Sequence, residues 1–366
     1  MKTLEAYGLV VNEFLIERLF ERLNQIDRGC LSDFHVVLLP DFFVDHFLFF
    51  GDIEKVFSEI KNLYLSGGGN LPGVEQRIHQ GGNAANSALA LTRLGVRTHL
   101  ICRTDKLGLH LMRYFLERFG VDLSGVKTDG KLAMTTVMEF GGEHVNAMIG
   151  DVGSVSDFTF DMLDERDLET ISGSDMVCVL CWNLNKHGTM LAEDVFGFAK
   201  RHGVKTFFDS GDPSSRKEEE ISMLIKNVLE KNVLDIFGLN ENELCYYSDY
   251  HDLDAEDEKK VIDAVVSLKK KIYPRVDLHT RCLSCTAVGK DVVVVPALRL
   301  LKVYRSTGAG DVWNAGDIFG ELLGFDDNER LFFSNVLAGC YISSVDPIPP
   351  SLEEVIDFLK KMKKKL

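Results

Sequence analysis

At 366 residues, with 45% hydrophobic and 27% charged side chains, the chain has the composition of a water-soluble globular protein with a sizeable core. A formal net charge of −15 would repel a phosphate polymer, which argues against nucleic acid as a partner. No apolar run reaches the length of a membrane span and the first residues lack the layout of a signal peptide, so no membrane partner and a cytoplasmic location are expected.

Residues 3–26 have helical periodicity, with Leu4, Val11, Leu15, Leu19 and Leu23 on or near one face. Residues 35–39 predict a buried strand ended by Pro40, and Asp41 and Asp45 follow at its mouth. Carboxylates there suit the crevice where α/β proteins bind ligands, and either could accept a hydrogen bond from a hydroxyl. Each taken alone also fits a loop aspartate satisfied by water.

A flexible loop, Ser66-Gly67-Gly68-Gly69-Asn70, leads to a short candidate strand at 74–78. Gly81 and Gly82 then open a helix rich in small residues, which Gly95 stops. Asn83 and Asn86 share a face of its first turn, where they either address a polyol or merely cap the helix. A strand at 98–101 and a helix at 107–119 set a βαβ rhythm and hence a parallel sheet. Two alternating runs within 135–149, joined by Gly141-Gly142, interrupt it as a β-hairpin. With residues 74–79 this hairpin builds a small projecting sheet, a natural lid over a site.

The alternation resumes with strands at 176–180, 205–208 and 234–237 and helices at 189–201 and 218–229. Asp209-Ser210-Gly211-Asp212-Pro213 lies at one strand end. Asn240 and Glu243 share the first turn of the next helix, either as an anchor for hydrated Mg²⁺ beside phosphates or as a capped helix start with a solvated glutamate. Residues 249–258 are acidic and loop-like. The eight cysteines include two C-x-x-C pairs, Cys178/Cys181 and Cys282/Cys285. About 100 residues separate them, far beyond the roughly 15–20 of a zinc ribbon, so buried free thiols are expected.

An apolar run at 292–295 and a second stretch at 298–303 precede Ser306-Thr307-Gly308-Ala309-Gly310-Asp311, and helical spacing follows from Val312. The order strand, glycine-rich turn, helix aims backbone amides and the positive end of a helix dipole at one point, which suits phosphate. A carboxylate inside such an anion hole can take the proton from an attacking hydroxyl, whereas the plain alternative makes Asp311 an ordinary N-cap. The basic end, Lys360 to Lys365, fits a solvated helix terminus.

Two stretches, GGNAANSALALTRLG and STGAGDVWNAG, resemble the N- and C-terminal signatures of the ribokinase-like (phosphofructokinase-B) carbohydrate kinases. Asn240 and Glu243 match the family's N-x-x-E motif between them, and the resemblance spans roughly residues 34–345. It implies a ribokinase-like α/β fold: one domain over 1–366, a mostly parallel central sheet with helices on both faces, a small β lid, and an N-terminal helical extension at 1–32. It implies an enzyme that moves a phosphoryl group from a nucleotide to a hydroxyl of a sugar or nucleoside-like molecule, with ATP favoured, ADP the rival donor, and Mg²⁺. By analogy Asp311 is the general base and the amides of Gly308, Ala309 and Gly310 form the anion hole. Asp45, Gly81, Gly82 and Asn86 align with positions that hold the acceptor. Asn240 and Glu243 organise the cofactor, Glu243 reaching the metal through water. A homodimer through the lid is also expected.

The chain departs from the pattern at three places. Arg305-Ser306 replaces the usual Asp-Thr, Pro40 a glycine, and Leu278-His279-Thr280-Arg281-Cys282-Leu283 the nucleotide-lining Thr-x-Gly-x-x-Gly. The His-Thr pair, like the N-terminal helix, is similar to the ADP-dependent sugar kinases. A non-catalytic ligand sensor on the same fold is the alternative, which the retained Asp311 and anion hole oppose. A dinucleotide oxidoreductase lacks its fingerprint around Gly67 to Gly69. A P-loop enzyme is excluded because Leu132 and Asp291 follow the two Gly-Lys pairs.

Overall fold

The computed structural model describes residues 13–141 and 145–363. Leu4, Val11, the Gly142 turn of the hairpin and Lys364-Lys365 of the basic end lie outside the described residues.

Twelve strands divide between two sheets. They are β1 His35–Leu39, β2 Phe43–Phe50, β3 Glu75–Gly81, β4 Arg97–Leu100, β5 Ala133–Phe140, β6 Val145–Asp151, β7 Met176–Leu180, β8 Lys205–Asp209, β9 Ile236–Asn240, β10 Arg275–His279, β11 Leu283–Val288 and β12 Asp291–Pro296. The large sheet has the order β12-β11-β10-β9-β8-β7-β1-β4, parallel from β4 to β10 and antiparallel at β11 and β12. Parallel strands covered on both faces need apolar residues at every position, and β7 (Met-Val-Cys-Val-Leu) is buried throughout. Alternate residues enter two cores. Val36 and Leu38 join one cluster with helices Asn83–Arg93, Ala309–Leu322 and Asp327–Ile342, while Val37 and Leu39 join another with Gly188–Arg201 and Glu258–Lys269.

The small sheet has the order β3-β2-β5-β6. The strand β2 at its middle, Phe-Val-Asp-His-Phe-Leu-Phe-Phe, was not among the expected strands, although it is rich in the aromatic and apolar residues of one; it follows β1 after only three residues. Asp45 therefore lies within a strand, opposite His79 on β3 and Thr135 on β5. Two further expectations change. Residues 298–303 form no strand, so an irregular segment connects β12 to the glycine turn. The strand expected at 234–237 runs Ile236–Asn240, which puts Asn240 at its carboxyl end. In the N-terminal helix, Glu13–Gln25, the buried face is Ile16, Leu19 and Leu23, with Leu15 only partly buried. The cysteines of the two C-x-x-C pairs are free, and Cys178 and Cys285 sit on separate buried strands. Among the described residues no three His, Cys, Asp or Glu side chains converge as a metal-chelating group.

Candidate active site

The carboxyl ends of β1, β7, β8, β9 and β10 open on one crevice, where the first turns of helices Asn83–Arg93 and Ala309–Leu322 meet. Asp41, fully buried, accepts from the amides of Asn83 (2.9 Å) and Ala84 (2.8 Å) and so caps the first of these helices from across the crevice. Each of its oxygens holds a backbone donor, and its full burial keeps it from the open part of the crevice. Gly82 permits the approach, since its φ of 99° is left-handed and a Cβ there would stand 3.1 Å from the Asp41 carboxylate.

In the second helix the N-cap is Gly308, at φ 78°, and Asp311 is the third helical residue. Asp311 is thus no N-cap. Its Oδ2 accepts from Asn86 Nδ2 at 2.9 Å, and its backbone carbonyl accepts from Ser87 Oγ at 3.2 Å, so the two signature helices are joined at this residue. The amide of Ala309 donates to Ser306 O (3.1 Å), while those of Gly310 and Asp311 fall in the first turn, where helix geometry supplies no carbonyl. His279, at the end of β10, packs its ring on Gly310 and lies 4.9 Å from the Trp313 ring. Burial drops the His279 imidazole to about 4, so it is neutral.

A cavity of about 230 Å³ lies on this side of Asp311, lined by Asn83, Asn183, Asp209, Asp212, Asn240, Glu243, His279, Gly308 and Gly310. Asn240 and Glu243 form a reciprocal capping box: Asn240 Oδ1 accepts from the Glu243 amide (3.0 Å), and Glu243 Oε2 from the Asn240 amide (2.9 Å). The glutamate is only 6% exposed, so this helix start is capped but its carboxylate is not solvated. Asp209 accepts from the Gly211 amide (2.8 Å) and Asn314 Nδ2 (2.6 Å). Burial raises Glu243 well above the carboxylate range, and Asp209 and Asp212 add to the rise. Burial likewise raises Asp311, with Asp209, Asp41 and Asp45 contributing against the bond from Asn86. The cavity therefore stores mutual repulsion that a cation would relieve. Its hard oxygen donors fit Mg²⁺ held through water rather than chelated directly. Asn183 Oδ1, buried with no partner among the described residues, adds an acceptor there. A broader groove of about 940 Å³ continues outward past Asp212, Asn240 and Glu243.

On the other side of Asp311, beneath the small sheet, lies a second cavity of about 220 Å³ that shares Gly308 with the first. Asp45, Asn86 and Glu139 line it, with Phe47, Phe49 and Tyr304 as apolar walls and Arg305 and Arg77 as basic ones, Arg77 pairing with Glu75 at 2.5 Å, while burial lowers the His79 imidazole beside them. The Asp45 carboxylate occupies the space a side chain at residue 81 would need, 2.3 Å from the Cβ position, so Gly81 is required for its placement. Burial raises Asp45 to about 6, opposed by a hydrogen bond from Thr135 and helped by Asp41. Arg305 donates from both terminal nitrogens to the carbonyls of Val345 and Asp346, and among the described residues no carboxylate pairs with it.

The structure thus gathers Asp45, Gly81, Gly82, Asn86, Asn240, Glu243, Gly308, Gly310 and Asp311 around two joined cavities. It separates Asn83 from Asn86, which face different ones. Sequence reasoning gave no role to Asn314, although it stands three residues after Asp311 on the same helix. Asp209 carried only the signal of a strand end, His279 only that of the His-Thr pair, and Tyr304 and Arg305 reach the cavity from an irregular segment.

A model of the family described as pfkB family carbohydrate kinase matches residues 59–354. The 5-dehydro-2-deoxygluconokinase of Geobacillus thermodenitrificans is 26% identical over 301 residues, covering 77% of this chain and 85% of its own. That of Clostridium perfringens is 23% identical over 325 residues, covering 85% and 89%. Among solved structures, Arabidopsis thaliana ribokinase complexed with ribose and ATP has a TM-score of 0.70 at 19% identity, covering 89% of this chain and 98% of that one. Cryptococcus neoformans ribokinase in complex with ADP has 0.69 at 17%, covering 88% and 99%. These structural likenesses carry the fold.

Proposed function

The chain belongs to the pfkB family of carbohydrate kinases, and from that premise we propose that it transfers a phosphoryl group from ATP, with ADP the alternative donor, to a hydroxyl of a sugar acid. The single observation that carries the reading is the place of Asp311, partly buried between two cavities and tied to Asn86. An acceptor in the cavity beneath the small sheet would lay its apolar face on Phe47 and Phe49 and a hydroxyl against Asp45. Its carboxylate would face Arg305 and Arg77, with the His79 ring as a neutral hydrogen-bond donor, in keeping with relatives named for a deoxygluconate. The hydroxyl nearest Asp311 loses its proton to that carboxylate as its oxygen attacks the terminal phosphorus of the donor, and the bond from that phosphorus to its bridging oxygen breaks, so that ADP leaves when ATP is the donor and AMP when ADP is. Burial and the neighbouring carboxylates raise the proton affinity of Asp311, which strengthens its carboxylate as a proton acceptor.

The phosphoryl oxygens meet the amides of Gly310 and Asp311, Gly308 giving the turn its left-handed bend. In this reading Ala309 contributes its amide only if the turn releases Ser306 O. Asn240 and Glu243, with Asp209 and Asp212 beside them, would hold the water shell of Mg²⁺, which neutralises phosphate charge when bound. His279 offers a neutral ring to the same cavity. We also read a homodimer formed through the small sheet and its connections. The deciding experiment is a panel of neutral sugars, sugar acids, inositol and nucleosides, each assayed with ATP and with ADP. Turnover confined to sugar acids is expected, and no turnover with any pair would refute the reading.

A further inference from the structure

The connection from β2 to β3 contains a helix, Ile53–Leu65, none of whose residues is buried. It is nonetheless well started, for Asp52 accepts from the Lys55 amide at 2.8 Å. Thirteen residues make a helix about 20 Å long, near the length at which an isolated helix is marginal in water. This chain covers only one side of it, through Val56, Leu63 and the Phe57–Phe140 contact.

The helix carries the material for further packing. Ile53, Phe57, Ile60 and Tyr64 recur at spacings of four, three and four, the pattern of a two-helix seam, and they are 44%, 49%, 45% and 81% exposed. Val56 and Leu63, flanking the stripe on one side, are half-buried against the chain itself, with Leu63 lying over Gly69. Glu54 and Lys61 flank it on the other side, and both are exposed. The stripe continues onto the small sheet, since the Phe57 ring meets Phe140 at 6.2 Å and Phe140 meets Phe50 at 5.7 Å.

We propose that the helix Ile53–Leu65 pairs antiparallel with the same helix of a second copy of this chain. The occupant follows from charge. About a two-fold axis near the middle of the helix, Phe57 faces the partner copy's Ile60, and Ile53 faces its Tyr64. Glu54 then meets Lys61 of the other copy at both ends, so a single sequence supplies both halves of each ion pair. A parallel arrangement would set Glu54 and Lys61 against the Val56 and Leu63 side of the other copy and form no ion pair. The proposal refines the homodimer reading above and is independent of the chemistry at Asp311.

Sedimentation of the full chain at micromolar concentration tests it. The wild type sediments as a dimer. Glu54→Lys alone and Lys61→Glu alone each weaken association on the order of tenfold, by setting like charges together at two symmetric positions. Combining the two reversals restores the dimer. Phe57→Asp with Ile60→Asp gives a monomer whose circular dichroism outside this helix is unchanged. A wild-type monomer would refute the homodimer itself. A dimer indifferent to the apolar pair, or reversals that fail to restore it together, would refute this helix as the contact. The charge reversals lie at exposed positions, so the test survives if the double aspartate variant does not fold.

Discussion

Replacing Asp311 by asparagine separates the proposed base from every structural role that this position plays. Asparagine keeps an oxygen to accept from Asn86 Nδ2, now at 2.9 Å, and leaves the amides of Gly310 and Asp311 in the first helical turn. What disappears is proton acceptance, worth about 10²–10⁴-fold in turnover for a positioned general base. Stability should move the other way. The folded state holds Asp311 above its ordinary value, so native protein binds its proton more tightly than unfolded chain does. Stability is therefore lost as pH rises from the ordinary carboxylate value toward the raised one, at about 1.4 kcal/mol per pKa unit of difference. The variant escapes that loss, so it should melt higher than wild type at neutral pH, with the gap closing below pH 4. Nucleotide affinity should hold or tighten as a negative charge leaves the phosphate side. Calorimetry across pH, nucleotide titration and initial rates on this one variant are the assays. Turnover within tenfold of wild type on a true acceptor would end the case for Asp311 as the base.

Asp45 holds the acceptor's hydroxyl best as a carboxylate, so kcat/KM for the acceptor should fall about tenfold per pH unit below about 6, and Asp45→Asn should abolish that limb; an unaltered profile in the variant would assign the limb elsewhere. Gly81→Ala brings a Cβ within 2.3 Å of the same carboxylate and should raise the acceptor KM while costing about 1–3 kcal/mol of stability, read by denaturant titration. Glu243→Gln sets an amide against the Asn240 donors, so it should lower stability by about 1 kcal/mol and raise the Mg²⁺ needed for half-maximal rate; an unchanged metal titration would move the site. Arg330, 1% exposed, pairs with Asp277 and with Asp317 on the Asp311 helix, and Arg330→Ala should destabilise by about 3–5 kcal/mol because buried Asp317 loses its partner and Asp277 keeps only Arg275. A melting temperature near that of wild type would refute the importance of this cluster.

The sequence by itself determined the parts whose physics is local. A run such as Met-Val-Cys-Val-Leu can only be a buried strand, and glycines at 308 and 310 permit a turn that a helix start completes, so the parallel sheet and the place of Asp311 were legible. The family signatures are legible for the same reason, since amides that meet a phosphate must be neighbours in the chain. What depends on residues meeting across the fold was not. No local pattern says that Asp41 caps a helix 42 residues away or that Asp45 fills the space over Gly81, because each follows from β1, β2 and β3 being brought side by side. The strand β2 itself went unseen because its partner β5 lies some 90 residues on, and pairing, rather than alternation within the segment, makes it a strand. The sequence offered Asn240 and Glu243 as either a cap or a metal anchor. Only packing decided that Glu243 is capped and buried among Asp209 and Asp212, since burial is a property of the surrounding elements and the box a property of four consecutive residues.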